Sequence, residues 1–228
     1  MSETKVVVPR ASVVTPRGSF KYPHLVDPDY GTDAYPIPKG EFNVRIVLDQ
    51  DSSAAFLASI NTVIIEGIEW ARGEDAKRKP AARAKSPMNF MTVGTPVYDS
   101  EDRETGAMEF KIKTAASGAD RKSGKVWNKK VNFIDAKRAG FTPASVWGGT
   151  VGKIKATASA FFIPGSGMAG ISLYLEVVQI LELVEAGGSV ADTAGFDDED
   201  GYSAPEDTAD STAEEDVPFT PDVDDDDF

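Results

Sequence analysis

The sequence predicts a mainly β fold, one small closed barrel with a single helix, followed by an acidic tail that has no core. Three observations predict it. Apolar and polar side chains alternate with a period of two in several stretches, one segment carries an apolar stripe at helical spacing, and the charge changes abruptly near residue 185.

Residues 1–40 are rich in Pro, Gly and aromatics, with FKYP at 20–23, DPDYG at 27–31 and YPIPKG at 35–40. Closely spaced prolines beside glycine predict an irregular, extended N-terminal arm. The first strand is expected at 41–49, where Phe42, Val44, Ile46 and Leu48 share one face and Asn43 and Arg45 take the other. Residues 51–71 read as the one substantial helix, capped by Asp51 or a neighbouring serine, with Phe56, Ile60, Val63, Ile64 and Ile68 as its stripe. The charged segment after it, 74–87, reads as a mobile loop.

From residue 88 onward the pattern is sheet-like. Strands are expected at 88–93, 107–117, 125–135, 151–162 and 169–184, separated by turns rich in Gly, Asp and Pro. Five or six strands with one early helix suit an OB-fold, a five-stranded barrel with one inserted helix; an unrelated small barrel or an α+β sheet fits the same pattern. Domain boundaries follow the charge. Residues 1–185 hold all 24 Lys and Arg and 21 of the 37 Asp and Glu, a net of +3, whereas 186–228 hold 16 acids and no base. The tail has too few large apolar residues for a core and is expected to be disordered.

The whole-chain charge of −13 therefore hides a basic domain. Without cysteine the chain has no disulfide, thiolate chemistry or cysteine-ligated metal. No uninterrupted apolar run approaches the roughly 20 residues that span a bilayer, so no membrane is expected and cytoplasmic solubility is. The single histidine, His24, has no nucleophile or base around it, and neither a phosphate-binding loop nor a calcium loop is present; no enzyme, cofactor or metal site is expected.

Alternation also places the positive charge. Lys111 and Lys113 point outward between Phe110 and Ile112. Trp127, Lys129 and Phe133 share a face of the expected strand 125–135, and Lys153, Lys155 and Phe161 share a face of the strand 151–162. Single-stranded nucleic acid needs this pairing, because cations neutralise phosphates and aromatic faces stack on bases of any sequence. Trp147 is a further aromatic candidate. In the tail, four aspartates, Asp224, Asp225, Asp226 and Asp227, precede Phe228, an aromatic anchor within focused negative charge that suits a basic pocket with an apolar floor.

Several segments, in order, resemble the single-stranded DNA-binding proteins of short-tailed (podovirus) bacteriophages: FKYPHLVDPDYG, PKGEFNVRIVL, AMEFKIKTAAS, WGGTVGKIKA, GISLYLEVVQILELVE and the terminal DDDDF. The resemblance implies an OB-fold that coats single strands without sequence preference in phage DNA replication, recombination and repair, in the cytoplasm of the infected host. It also implies that Phe228 and the aspartates before it contact the phage DNA polymerase and helicase-primase, that the tail shields the DNA groove, and that homodimers occur in some members. The competing reading is a virion assembly or scaffolding protein with a regulatory acidic tail, which does not require the repeated lysine faces.

Overall fold

The structure, a computed structural model, describes residues 7–120 and 122–184. The chain divides into two units, Met1–Gly188 and Ser189–Phe228, and the structural description concerns the first. The expectations for the tail, Phe228 included, lie outside the described residues.

The strands are β1 (Arg10–Val14), β2 (Gly18–Gly31), β3 (Pro36–Leu48), β4 (Asn89–Phe90), β5 (Thr95–Tyr98), β6 (Glu104–Ala115), β7 (Ser117–Ala119), β8 (Val126–Asn128), β9 (Asn132–Ile134), β10 (Gly140–Phe141), β11 (Val151–Ile163) and β12 (Met168–Glu182). Between β3 and β4 lie the helices α1 (Gln50–Ala76) and α2 (Pro80–Lys85). Five strands close on themselves: β2 pairs with β3, β3 with β6, β6 with β12, β12 with β11, and β11 returns to β2. The β6–β12 pairing is parallel and the other four are antiparallel, so the chain is an OB-fold barrel with a helix inserted between its second and third strands.

Alternation fills the interior. Phe42, Val44, Ile46 and Leu48 from β3, Phe110 and Ile112 from β6, Ile154, Ala156 and Ala158 from β11, and Leu173 and Leu175 from β12 are all buried. Helix α1 starts at Gln50, and its cap is Asp49 rather than Asp51 or a neighbouring serine. The Ser52 amide donates to the Asp49 carboxylate at 2.7 Å, which holds that carboxyl below its ordinary value. Its length and composition would suffice for a membrane span, yet its stripe of Phe56, Ile60, Val63 and Ala71 is buried, with the Phe56 and Phe110 rings edge to face at 5.0 Å.

Three expectations are corrected here. The N-terminal arm is not irregular, because residues 10–31 form β1 and β2, and β3 begins at Pro36. The prolines are tolerated because the β2–β3 register shifts between Lys21 and His24 and again between His24 and Asp29, so Pro23 and Pro28 fall outside the ladder and owe it no amide. The charged stretch 74–87 is not a loop throughout. Pro80 opens α2, where a missing amide costs nothing, and the Asp75 carboxylate ties Arg78 at 2.6 Å to Arg83 at 3.1 Å. The expected strand 125–135 is two short strands in different sheets: β8 pairs with β7 in a hairpin, and β9 joins β12 and β10.

Candidate nucleic-acid interface

The outer face of β2, β3 and β6 carries the charge in register. Lys21 lies opposite Arg45, and Arg45 opposite Lys111. The next row runs His24, Asn43, Lys113, Tyr174 and Thr157, crossing from β2 to β11. Directly opposed residues in a sheet project to the same side, so these form a continuous band across the strands.

Two carboxylates organise that band. Glu41 pairs with Lys111 at 3.3 Å and accepts from Lys113 at 2.7 Å, while Glu109 lies 3.6 Å from Lys21 and pairs with Arg45. The side chains of Glu41 and Glu109 are only 14% and 12% exposed, whereas the four cations expose 43–49% of theirs. The acids therefore sit beneath the bases and hold them in place, and each long cation keeps free donors toward solvent. Asp29, which accepts from the Asn43 side chain at 3.4 Å, is a third acid on this face, so four bases over three acids leave it net positive by one charge.

Further round the barrel, Lys155 pairs with Glu176 at 3.1 Å, and Glu176 also accepts from the Thr157 hydroxyl. The Thr157 bond first, then Lys155, keeps the Glu176 carboxyl below its ordinary value. On β2, the Gly31 amide donates to Asp29 at 2.7 Å and lowers that carboxyl likewise, with His24 and Asn43 adding to the effect.

Of the residues singled out by sequence, Lys111 and Lys113 stand together on this face. Lys153 and Lys155 lie on β11, beyond Tyr174, and the Phe161 ring sits over Gly170. Trp127 is half exposed on the β7–β8 hairpin, its indole packed on Gly118. Lys129 donates to Thr114 Oγ1 at 2.9 Å and to the Leu175 carbonyl at 3.1 Å, so its ammonium bridges β6 and β12. Phe133 is a correction: it is 6% exposed and packs near Phe141, because the break after β8 restarts the alternation and turns its ring inward. The expected common face of Trp127, Lys129 and Phe133 therefore does not exist.

A family model described as single-stranded DNA-binding protein, bacteriophage T7, matches residues 18–183. The chain belongs to that family. It is a family of binding proteins, and among the described residues no cluster of three or more metal-ligating side chains occurs. Among solved structures, gp2.5, a single-stranded DNA-binding protein encoded by bacteriophage T7, superposes with a TM-score of 0.59 at 23% identity. That match covers 86% of this chain and 99% of the other, and shows a shared fold. The single-stranded DNA-binding protein from bacteriophage Enc34 in complex with ssDNA covers 78% of this chain and 89% of its own, at 13% identity and a TM-score of 0.49. No curated protein sequence matches the chain.

Sequence reasoning missed Lys21, Arg45 and Tyr174 as site residues. For Arg45 and Tyr174 the signal was present: Arg45 alternates against Val44 and Ile46, and Tyr174, 45% exposed, lies between buried Leu173 and Leu175. Lys21 carried no such signal, because the bulges of β2 obscure its face.

Proposed function

We propose that this chain binds single-stranded DNA without sequence preference across the outer face of β3 and β6, in phage DNA replication, recombination and repair within the host cytoplasm. The observation that carries this is the pair of adjacent rows containing Lys21, Arg45, Lys111 and Lys113, held half exposed over Glu41 and Glu109 beside the open ring of Tyr174. Ammonium and guanidinium groups contact phosphates, and a tyrosine face stacks on any base, so nothing in the band selects a sequence. In an OB-fold this face, the second and third barrel strands, is where oligonucleotides bind.

In this reading Lys153, Lys155 and Phe161 extend the path across β11, and Trp127 flanks it from the hairpin. The tail plays two parts. Its 16 acids compete with phosphates for the cationic band, and Asp224 to Asp227 with Phe228 recruit the phage DNA polymerase and helicase-primase. DNA that occupies the band releases the tail for those proteins.

Fluorescence anisotropy with a labelled single-stranded oligonucleotide tests both statements. The full chain binds, and a chain ending at residue 185 binds about tenfold or more tightly near 50 mM salt, the difference shrinking as salt rises. Equal affinity at low salt would refute tail competition and leave the binding face standing.

A further inference from the structure

The observation that the band does not absorb is an open cavity of about 610 Å³ between β2 and the segment 144–149. Buried Phe20, Leu25 and Val146 help to line it, and Tyr22 and Trp147 lie at its surface, 70% and 53% exposed. We infer that this cavity is a second stacking subsite that takes one or more nucleobases of the same single strand, with Tyr22 and Trp147 as its platforms. The inference rests on the function proposed above and extends the DNA path beyond the β3–β6 face.

Four observations support it. The first is continuity. Lys21 and His24 line the cavity, and each also belongs to a row of the charged band, Lys21 beside Arg45 and His24 beside Asn43 and Lys113. A strand leaving the band over Lys21 arrives at the cavity with its phosphates still accompanied by positive charge.

The second is the backbone of Tyr22. Phe20 and Leu25 are both buried, so an odd number of steps separates two inward residues, and the bulge between Lys21 and His24 supplies the offset. Tyr22 absorbs it with φ +48, a conformation that glycine or asparagine adopts readily and that costs other residues about 1–3 kcal/mol. The offset explains a bulge but not a tyrosine. A large ring kept 70% in solvent at a strained position is explained by a ligand that uses its face.

The third is the mounting of Trp147. Its amide donates to the Val184 carbonyl at 3.0 Å and its carbonyl accepts from Thr150 at 3.2 Å, while the Gly149 amide donates to the Phe20 carbonyl at 2.9 Å. The Val184 bond holds the Trp147 turn to the segment after β12, the Thr150 bond closes the turn, and the Gly149 bond fastens it to β2, the strand that carries Tyr22. Two aromatic platforms are thereby fixed relative to each other, which lowers the entropy lost on stacking.

The fourth is size and chemistry. A volume near 610 Å³ lies within the range of small-molecule sites, and a mostly apolar lining suits a flat heteroaromatic base, with Lys21 to meet its phosphate and Asp27 as the one carboxylate among the lining residues. Among the described residues neither the Tyr22 nor the Trp147 ring is stacked on another aromatic ring.

The test uses the full chain in two ways. Single-stranded oligonucleotides containing 5-iododeoxyuridine are photocrosslinked to the unaltered protein and the adducts mapped by mass spectrometry; adducts on Tyr22 or Trp147 are expected. In parallel, Tyr22→Asn, which keeps the backbone conformation accessible, is combined with Trp147→Ala. The pair is expected to weaken binding roughly tenfold to hundredfold with an unchanged dependence on salt, because stacking is lost and phosphate contacts are kept. Adducts confined to the β3–β6 face together with unaltered affinity of the double variant would overturn the subsite while leaving the main face intact. A loss accompanied by a flatter salt dependence would also overturn it, since phosphate contacts would then explain the effect. Failure of the unaltered chain to bind any single strand would remove the parent reading and the subsite with it. The crosslinking decides the matter even where the double variant folds poorly.

Discussion

Gly152→Ala is expected to destabilise the barrel by about 3 kcal/mol, the upper end of the range for overpacking. Gly152 lies opposite Gly18 where β11 returns to β2, and that closure consists of only two residue pairs, Val151 with Ser19 and Gly152 with Gly18. A Cβ on Gly152 would stand 2.4 Å from the Gln179 carbonyl oxygen and 2.7 Å from the Phe20 ring; one on Gly18 would stand 2.5 Å from the Val47 carbonyl oxygen. Carbonyls held in a ladder cannot turn aside as a flexible side chain does, so the seam itself must open. Gly73, exposed in α1 with nothing within 4 Å of an added Cβ, gives the contrast. Gly73→Ala is expected to stabilise by about 0.5–1 kcal/mol through helix propensity. Urea unfolding of the two variants beside the parent measures both effects.

The second large effect concerns the cations. Changing Arg45, Lys111 and Lys113 together to Gln removes three positive charges while leaving hydrogen-bond donors for Glu41 and Glu109, so the carboxylates are not stranded. For single strands, each neutralised phosphate contributes about 0.7 to the slope of log affinity against log salt. Loss of three such contacts should flatten the slope by about 2 and weaken binding roughly a hundredfold near 0.1 M salt. Lys137→Gln, in the exposed turn before β10, should leave both quantities unchanged. Anisotropy titrations over a range of salt concentrations read both variants. A triple variant with the parent slope would mean that the phosphates lie elsewhere.

Much of this fold was legible because burial is one-sided along most strands. In β3, β6, β11 and the first part of β12 the alternation of apolar residues gives both the strand and its inward face, and Lys111 and Lys113 follow directly. What could not be read depended on pairing partners. The bulges of β2 hide its face, so its prolines suggested an irregular arm, and Lys21 and Tyr22 went unplaced. Alternation was carried through residues 129–131, where the chain changes sheet, and so Phe133 was assigned to the surface when its ring is core. Alternation alone makes Lys129 an outward cation, because sequence spacing cannot show that the Leu175 carbonyl lies within reach of its ammonium. The turn into α2 brings Arg83, eight residues on, back to Asp75, a contact that sequence spacing does not reveal, whereas Arg78 is at the local i,i+3 spacing.

The measurement that tests the central claim most directly is titration of the full chain against single-stranded oligonucleotides of unrelated sequence and against their duplexes, at several salt concentrations. The charged band with its exposed tyrosine predicts tighter binding to single strands than to duplexes, similar affinity among the sequences, and a steep weakening as salt rises. Preference for duplex, or affinity for single strands that salt leaves unchanged, would contradict it.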